Sequence, residues 1–107
     1  MDSRIQEVLR LLDGSWRAPL RVIELADRVG LGPSRLEHLF RSEVNESIRA
    51  YVNRQRLLAA ARMLTASNER VSSIAFEVGF NDVSNFNHAF KKHFGKSPQE
   101  YRRAIFP

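Results

Sequence analysis

Ile74-Ala75-Phe76-Glu77-Val78-Gly79-Phe80-Asn81-Asp82-Val83-Ser84-Asn85-Phe86-Asn87-His88-Ala89-Phe90 is the stretch whose reading decides the fold. Together with Val71, the residues Ile74, Ala75 and Val78 recur at i, i+3, i+4, i+7, which sets them on one face of a helix. Gly79 ends that run. Phe80-Asn81-Asp82 makes a turn, and Phe86, Ala89, Phe90 and Phe94 resume the same period as a buried stripe until Gly95. The pattern is helix, short turn, helix.

Moving outward, the chain repeats this pattern. Ala26, Val29 and Gly30 fall on Ala75, Val78 and Gly79 at a shift of 49 residues, and His38, Phe40, Ser47 and Tyr51 fall on His88, Phe90, Ser97 and Tyr101 at a shift of 50. Arg41 matches Lys91 and Val44 matches Phe94. Two copies are too few for a solenoid, so the reading is two similar units joined by one long helix. Ile5, Val8, Leu9 and Leu12 predict a first helix, with Asp13-Gly14 as its stop and Gly14 free to turn left-handed. Val22, Leu25, Ala26 and Val29 predict a second, ended by Gly30. Pro33 opens a third with Leu36, Leu39, Phe40 and Val44 on its apolar side. Ser47 caps the long fourth, and Ser97-Pro98-Gln99-Glu100 is a capping box for a last short helix.

No stretch alternates convincingly in strand fashion, so the fold class expected is all-α, with about seven helices. The single domain 1–107 divides into a first unit at about 5–46, a linker helix at about 47–66 and a second unit at about 70–104. At 107 residues the chain buries roughly two thirds of its unfolded surface, enough for a core without metal or disulfides. There are no cysteines, which removes thiol catalysis and Cys-ligated zinc. No apolar run approaches the ~18 residues of a membrane span, and no export leader precedes the first helix, so a soluble cytoplasmic protein without membrane partner is expected.

Each unit's second helix has another face. Opposite the buried stripe stand Ser34, Arg35, Glu37, His38 and Arg41 in one copy, and Ser84, Asn85, Asn87, His88 and Lys91 in the other. In a helix-turn-helix the first helix braces the second, whose exposed side chains enter the DNA major groove. Asn suits adenine, Glu accepts from the cytosine amino group, and Ser and His reach several base edges or phosphates. Arg41, Lys91, Lys92 and Lys96 lie toward or past the helix ends, where phosphate contact is the expected role. Arg49, Arg54, Arg56 and Arg62 on the long helix stay open between DNA and ion pairing. The formal charge of +5, from 17 Lys+Arg against 12 Asp+Glu, favours a polyanion.

Other functions fit less well. His88 and His93 are five apart and share no helical face, and no carboxylate cluster completes a metal site, so neither metal, cofactor nor catalytic group is expected. Gly30-Leu31-Gly32 follows a helix and is no phosphate loop. A helical protein-interaction module without specific DNA binding is the alternative, but it calls for an exposed apolar groove where these stripes are polar. RNA is disfavoured because an A-form major groove is too narrow for a helix.

The run from Ile74 to Arg103, including Gly79-Phe80-Asn81-Asp82 and Gly95-Lys96-Ser97-Pro98, resembles the C-terminal signature of AraC/XylS-type transcription regulators almost position by position. Leu25-Ala26, Gly30-Leu31, Leu36, Phe40, Arg56-Leu57, Ala60 and Leu64 resemble that family's first motif and linker helix. The resemblance implies a transcription regulator, commonly an activator, reading adjacent major-groove segments of double-stranded DNA with two helices. It implies base contacts at Ser34, Arg35, Glu37 and His38, and at Val83, Ser84, Asn87 and His88. Ser34 is smaller than the residues frequent at its position. RNA polymerase is a further candidate partner. Fuller family members add a sensor or dimerisation domain, for which these 107 residues leave no room.

Overall fold

The computed structural model describes residues 1–105. Among them are seven helices and no strand: α1 Ser3–Ser15, α2 Val22–Arg28, α3 Pro33–Val44, α4 Ile48–Ala66, α5 Val71–Glu77, α6 Val83–Phe94 and α7 Pro98–Ile105. The chain divides into two compact units, Met1–Arg54 and Gln55–Pro107, with the division inside α4. No helix among the described residues is long and apolar enough to cross a membrane.

The repeat is a repeat of backbone hydrogen bonding. Gly30 (φ 72°) and Gly79 (φ 106°) both take the left-handed conformation past a helix end. In the first unit the Gly30 amide donates to the Asp27 carbonyl (3.3 Å) and the Leu31 amide to Ala26 (3.0 Å). In the second the Gly79 amide donates to Phe76 (3.1 Å) and the Phe80 amide to Ala75 (3.0 Å). Each is a Schellman closure, which satisfies carbonyls the helix end would leave open. Helices α3 and α6 end alike: Asn45 (φ 67°) and Gly95 (φ 79°) are left-handed caps, with amides donating to Arg41 (2.9 Å) and Lys91 (2.8 Å). Ser47 and Ser97 then start the next helix in each copy, their hydroxyls accepting from the Ala50 amide (3.0 Å) and the Glu100 amide (3.2 Å). The Glu100 carboxylate returns the bond by accepting from the Ser97 amide at 2.9 Å. That bond holds the Glu100 carboxyl below its usual range.

One boundary differs from the sequence reading. Gly14 does not stop α1; it is helical, and α1 runs on to Ser15, whose hydroxyl donates to the Leu11 carbonyl at 2.7 Å. A glycine inside a helix costs only about 1 kcal/mol relative to alanine, and the next residue but one, Trp16, packs against the unit's core. Tertiary packing outweighs the local preference.

In the first unit Ile5, Val8 and Leu12 of α1 meet Ala26, Leu36, Phe40, Ile48 and Val52 in one buried cluster. The Tyr51 ring stands edge-on to Phe40, and its hydroxyl donates to Asp13 at 2.7 Å. Partial burial and that bond push the phenol up to about 12. The second unit buries Leu57, Ala60, Ala61 and Leu64 of α4 with Ile74, Ala75, Val78, Phe80, Phe86 and Phe90. Its rings form a chain, Phe80 to Phe86 to Phe90 to Phe94, and Tyr101 closes on both Phe90 (5.4 Å) and Phe94 (5.3 Å). Ala89 and Phe94, expected within the buried stripe, are half-buried at its edge. Arg102 reaches back to the end of α4, donating to the Leu64 carbonyl (3.1 Å) and the Ser67 carbonyl (3.2 Å). It does for that helix end what Gly30 and Gly79 do for the shorter ones.

Candidate nucleic-acid interface

The surface in question is built on α3 and α6. Leu36 and Phe40 bury one side of α3, and the 3.6-residue period turns Ser34, Arg35, His38 and Arg41 to the exposed side. Glu37 differs: it is half-buried, at the margin of the face. Phe86 and Phe90 anchor α6 in the same way and leave Ser84, Asn87, His88, Lys91 and Lys92 exposed, with Val83 half-buried. Lys96, just beyond the helix, is exposed too.

Local chemistry fixes where each face begins. Asp82 caps α6, its carboxylate accepting from the Asn85 amide at 3.0 Å, so Val83 and Ser84 occupy the first turn. Helix α3 has no side-chain cap and starts on Gly32 with Pro33 in its first turn. Arg41 in α3 and Lys91 and Lys92 in α6 stand in the last turns, where cations complement the helix dipole as well as any phosphate.

A further side chain joins the first face. Arg4 of α1 shares a concavity of about 400 Å³ with Ser34, Arg35, His38 and Leu39. Its guanidinium is gripped by Asp2, Nε to Oδ1 at 3.2 Å and Nη2 to Oδ2 at 3.0 Å. The Arg4 side chain, followed by the Arg4 amide, holds the Asp2 carboxyl down at about 2. The Asp2 amide in turn donates to Glu43 (2.8 Å), tying the start of α1 to α3. Sequence reasoning missed Arg4 because α1 lies outside the repeat.

The arginines of α4 now separate. Arg54 is engaged within its own unit, facing Glu46 at 3.3 Å and stacking over Tyr51 at 5.3 Å. Arg56 is buried, at 7% exposure. Arg49 and Arg62 are exposed. His93 packs edge-on against Phe94 at 4.7 Å.

Known proteins supply the remaining observation. A family profile described as a helix-turn-helix domain matches residues 25–104, which spans both turns and both α3 and α6. The chain belongs to the AraC-type helix-turn-helix family. That family consists of DNA-binding transcription regulators, not enzymes. The AraC-type chain is 34% identical over 104 residues to the regulatory protein PocR of Salmonella typhimurium, covering 97% of this chain and 34% of PocR. It spans about a third of the length of the curated relatives it matches. It superposes with a TM-score of 0.83 and 27% identity on the DNA-binding domain of AdpA, a global transcriptional factor whose structure contains a target DNA; 94% of this chain and 91% of that one are covered. A probable AraC family regulator from Rhodopseudomonas palustris shares the fold, with a TM-score of 0.90 at 22% identity over 99% and 100% of the two chains.

Proposed function

We propose that this AraC-type domain reads a specific double-stranded DNA site through α3 and α6, each entering a major-groove segment, and so regulates transcription. The observation that carries the reading is the duplicated polar stripe on equivalent helices, exposed at Ser34, His38 and Arg41 in one, with Glu37 half-buried at its margin, and at Ser84, Asn87, His88 and Lys91 in the other. Base contacts are assigned to Ser34, Arg35, Glu37 and His38 and to Val83, Ser84, Asn87 and His88. Phosphate contacts are assigned to Arg41, Lys91, Lys92 and Lys96. AdpA, bound to target DNA in its structure, and PocR, named as a regulatory protein, support this by likeness. We further propose that the protein works in the cytoplasm with RNA polymerase and a sensor or dimerisation domain as partners, and that it raises transcription, a reading supported by its 30% identity over 102 residues to the transcriptional activator RhaS of Escherichia fergusonii.

Duplexes selected in vitro against the domain test the reading. Fluorescence anisotropy on the selected and scrambled duplexes is expected to differ by about a thousandfold or more. Affinity is also expected to fall with salt, by about 0.9 in the logarithmic slope per neutralised phosphate. Equal affinity for both duplexes at physiological salt overturns specific reading.

A further inference from the structure

The first unit also holds a cavity of about 490 Å³. It lies among the end of α1, the segment that follows, α2, and Val52, and none of the DNA-reading residues lines it. Its size falls in the range of small-molecule sites. Leu12, Leu20, Leu25 and Val52 supply an apolar floor, while Arg10, Arg21 and Arg28 stand around it.

The charges do not cancel. Arg10 is paired with Glu7, Nε to Oε2 at 2.9 Å, and Arg28 lies close enough to Glu7 to help lower its carboxyl. Glu24 also lines the cavity. Three guanidiniums against the two carboxylates Glu7 and Glu24 leave one positive charge over. Gly14 forms part of the wall, and a Cβ there meets no atom within 4 Å. No close approach of another chain segment therefore requires a glycine at this helical position. Its effect is to leave the wall open where any other side chain would stand.

We propose that this cavity binds a small amphipathic carboxylate, its apolar body on Leu12, Leu20 and Leu25 and its single negative charge on the arginine rim. An apolar floor gives such a ligand burial, and a guanidinium gives its head a charge-assisted hydrogen bond with the planar geometry a carboxylate prefers. A neutral ligand of the same body loses the second contribution, and an inorganic anion loses the first. The site is independent of the DNA reading, so either can fail alone.

The test uses amide NMR on the 107-residue chain with 2-naphthoate and its neutral counterpart 2-naphthylmethanol as probes. Naphthoate is expected to shift the Gly14, Leu20 and Leu25 amides. The alcohol is expected to bind at least tenfold more weakly, the usual discrimination of a charge-assisted bond. Replacing Arg21→Gln and Arg28→Gln together should bring the two probes level. Gly14→Leu, which fills the open wall and favours the helix, should abolish both sets of shifts, with circular dichroism checking the fold. If Gly14→Leu does not fold, the arginine pair decides. Absence of shifts at millimolar naphthoate, equal affinity for acid and alcohol, or undiminished binding by a folded Gly14→Leu overturns the site.

Discussion

The two units share their turns and differ in what surrounds them. The first, Met1–Arg54, carries nine arginines against eight acids, a net +1; the second, from Gln55 on, carries eight Lys+Arg against four acids, a net +4. In the first core Phe40 meets Tyr51 edge-on, whereas the second has a chain of four phenylalanines closed by Tyr101. On the reading faces, α3 has Glu37 where α6 has neutral Asn87. The two copies of the motif thus share their backbone geometry and differ in their charge. Under the proposed reading both faces discriminate bases, while the second unit adds firmer packing and more of the general attraction to DNA, and Glu37 lowers that attraction in the first.

The largest effect expected lies in the cores. Phe90 is fully buried and touches Phe86, Phe94 and Tyr101, so Phe90→Ala should cost about 3–5 kcal/mol. Phe40→Ala removes an equally buried ring that meets Tyr51 edge-on outside any such chain of phenylalanines, and should fall at the lower end of that range. Urea unfolding of the two variants measures both. A larger loss for Phe40→Ala would break the claim that the second unit is the firmer.

Next come the reading faces. Asn87→Ala should weaken binding to the selected duplex by about 1–3 kcal/mol and relax preference at one base pair. Glu37→Gln should do the opposite to attraction, strengthening binding to scrambled DNA by removing a carboxylate that repels phosphate. Anisotropy against base-substituted duplexes separates the two. A Glu37→Gln variant no stickier for scrambled DNA would deny the contrast between the faces.

How much of this was legible depends on whether a position has a local cause. Gly30, Gly79 and Gly95 were readable because a left-handed turn favours glycine, and the Ser97 to Glu100 box because reciprocal capping needs those side chains at that spacing. Gly14 was misread, since the same residue type tolerates the helix when packing beyond it continues. Arg102, which closes the end of α4 from 35 to 38 residues away, and Arg4, which joins the α3 face from α1, depend on tertiary approach that no spacing encodes. Arg54 and Glu46 are eight apart and meet because α4 turns back from Asn45. Ser34 and Ser84, Glu37 and Asn87, His38 and His88, and Arg41 and Lys91 were visible because the repeat displays that stripe twice, whereas Val83 rests on the family resemblance alone.

A smaller effect concerns how the reading helices start. Asp82→Ala removes the bond to the Asn85 amide and should cost about 1 kcal/mol in stability. Gly32→Ala at the start of α3 removes no side-chain bond, and a Cβ there meets no atom within 4 Å, so it should be close to neutral. Thermal melts compare them. An equal loss in both would mean that the caps do not distinguish the units.

The smallest effect per residue is also the one that tests the charge asymmetry most directly. Each cation in contact with phosphate releases about 0.9 of a counterion, so a fourfold rise in salt weakens binding by roughly threefold for every such contact. Lys92→Gln should therefore lower the slope of log affinity against log salt by about 0.9, as should Lys91→Gln and Lys96→Gln, and the three together by nearly three times as much. Arg41→Gln is the single counterpart in the first unit and should remove one such increment. The lysines are exposed, so their loss should leave the melting temperature nearly unchanged. That separates a contact with DNA from a contribution to the fold. If the triple lysine variant keeps the parent slope while Arg41→Gln lowers it, the net +4 is solvated surface and the first unit supplies the electrostatic attraction.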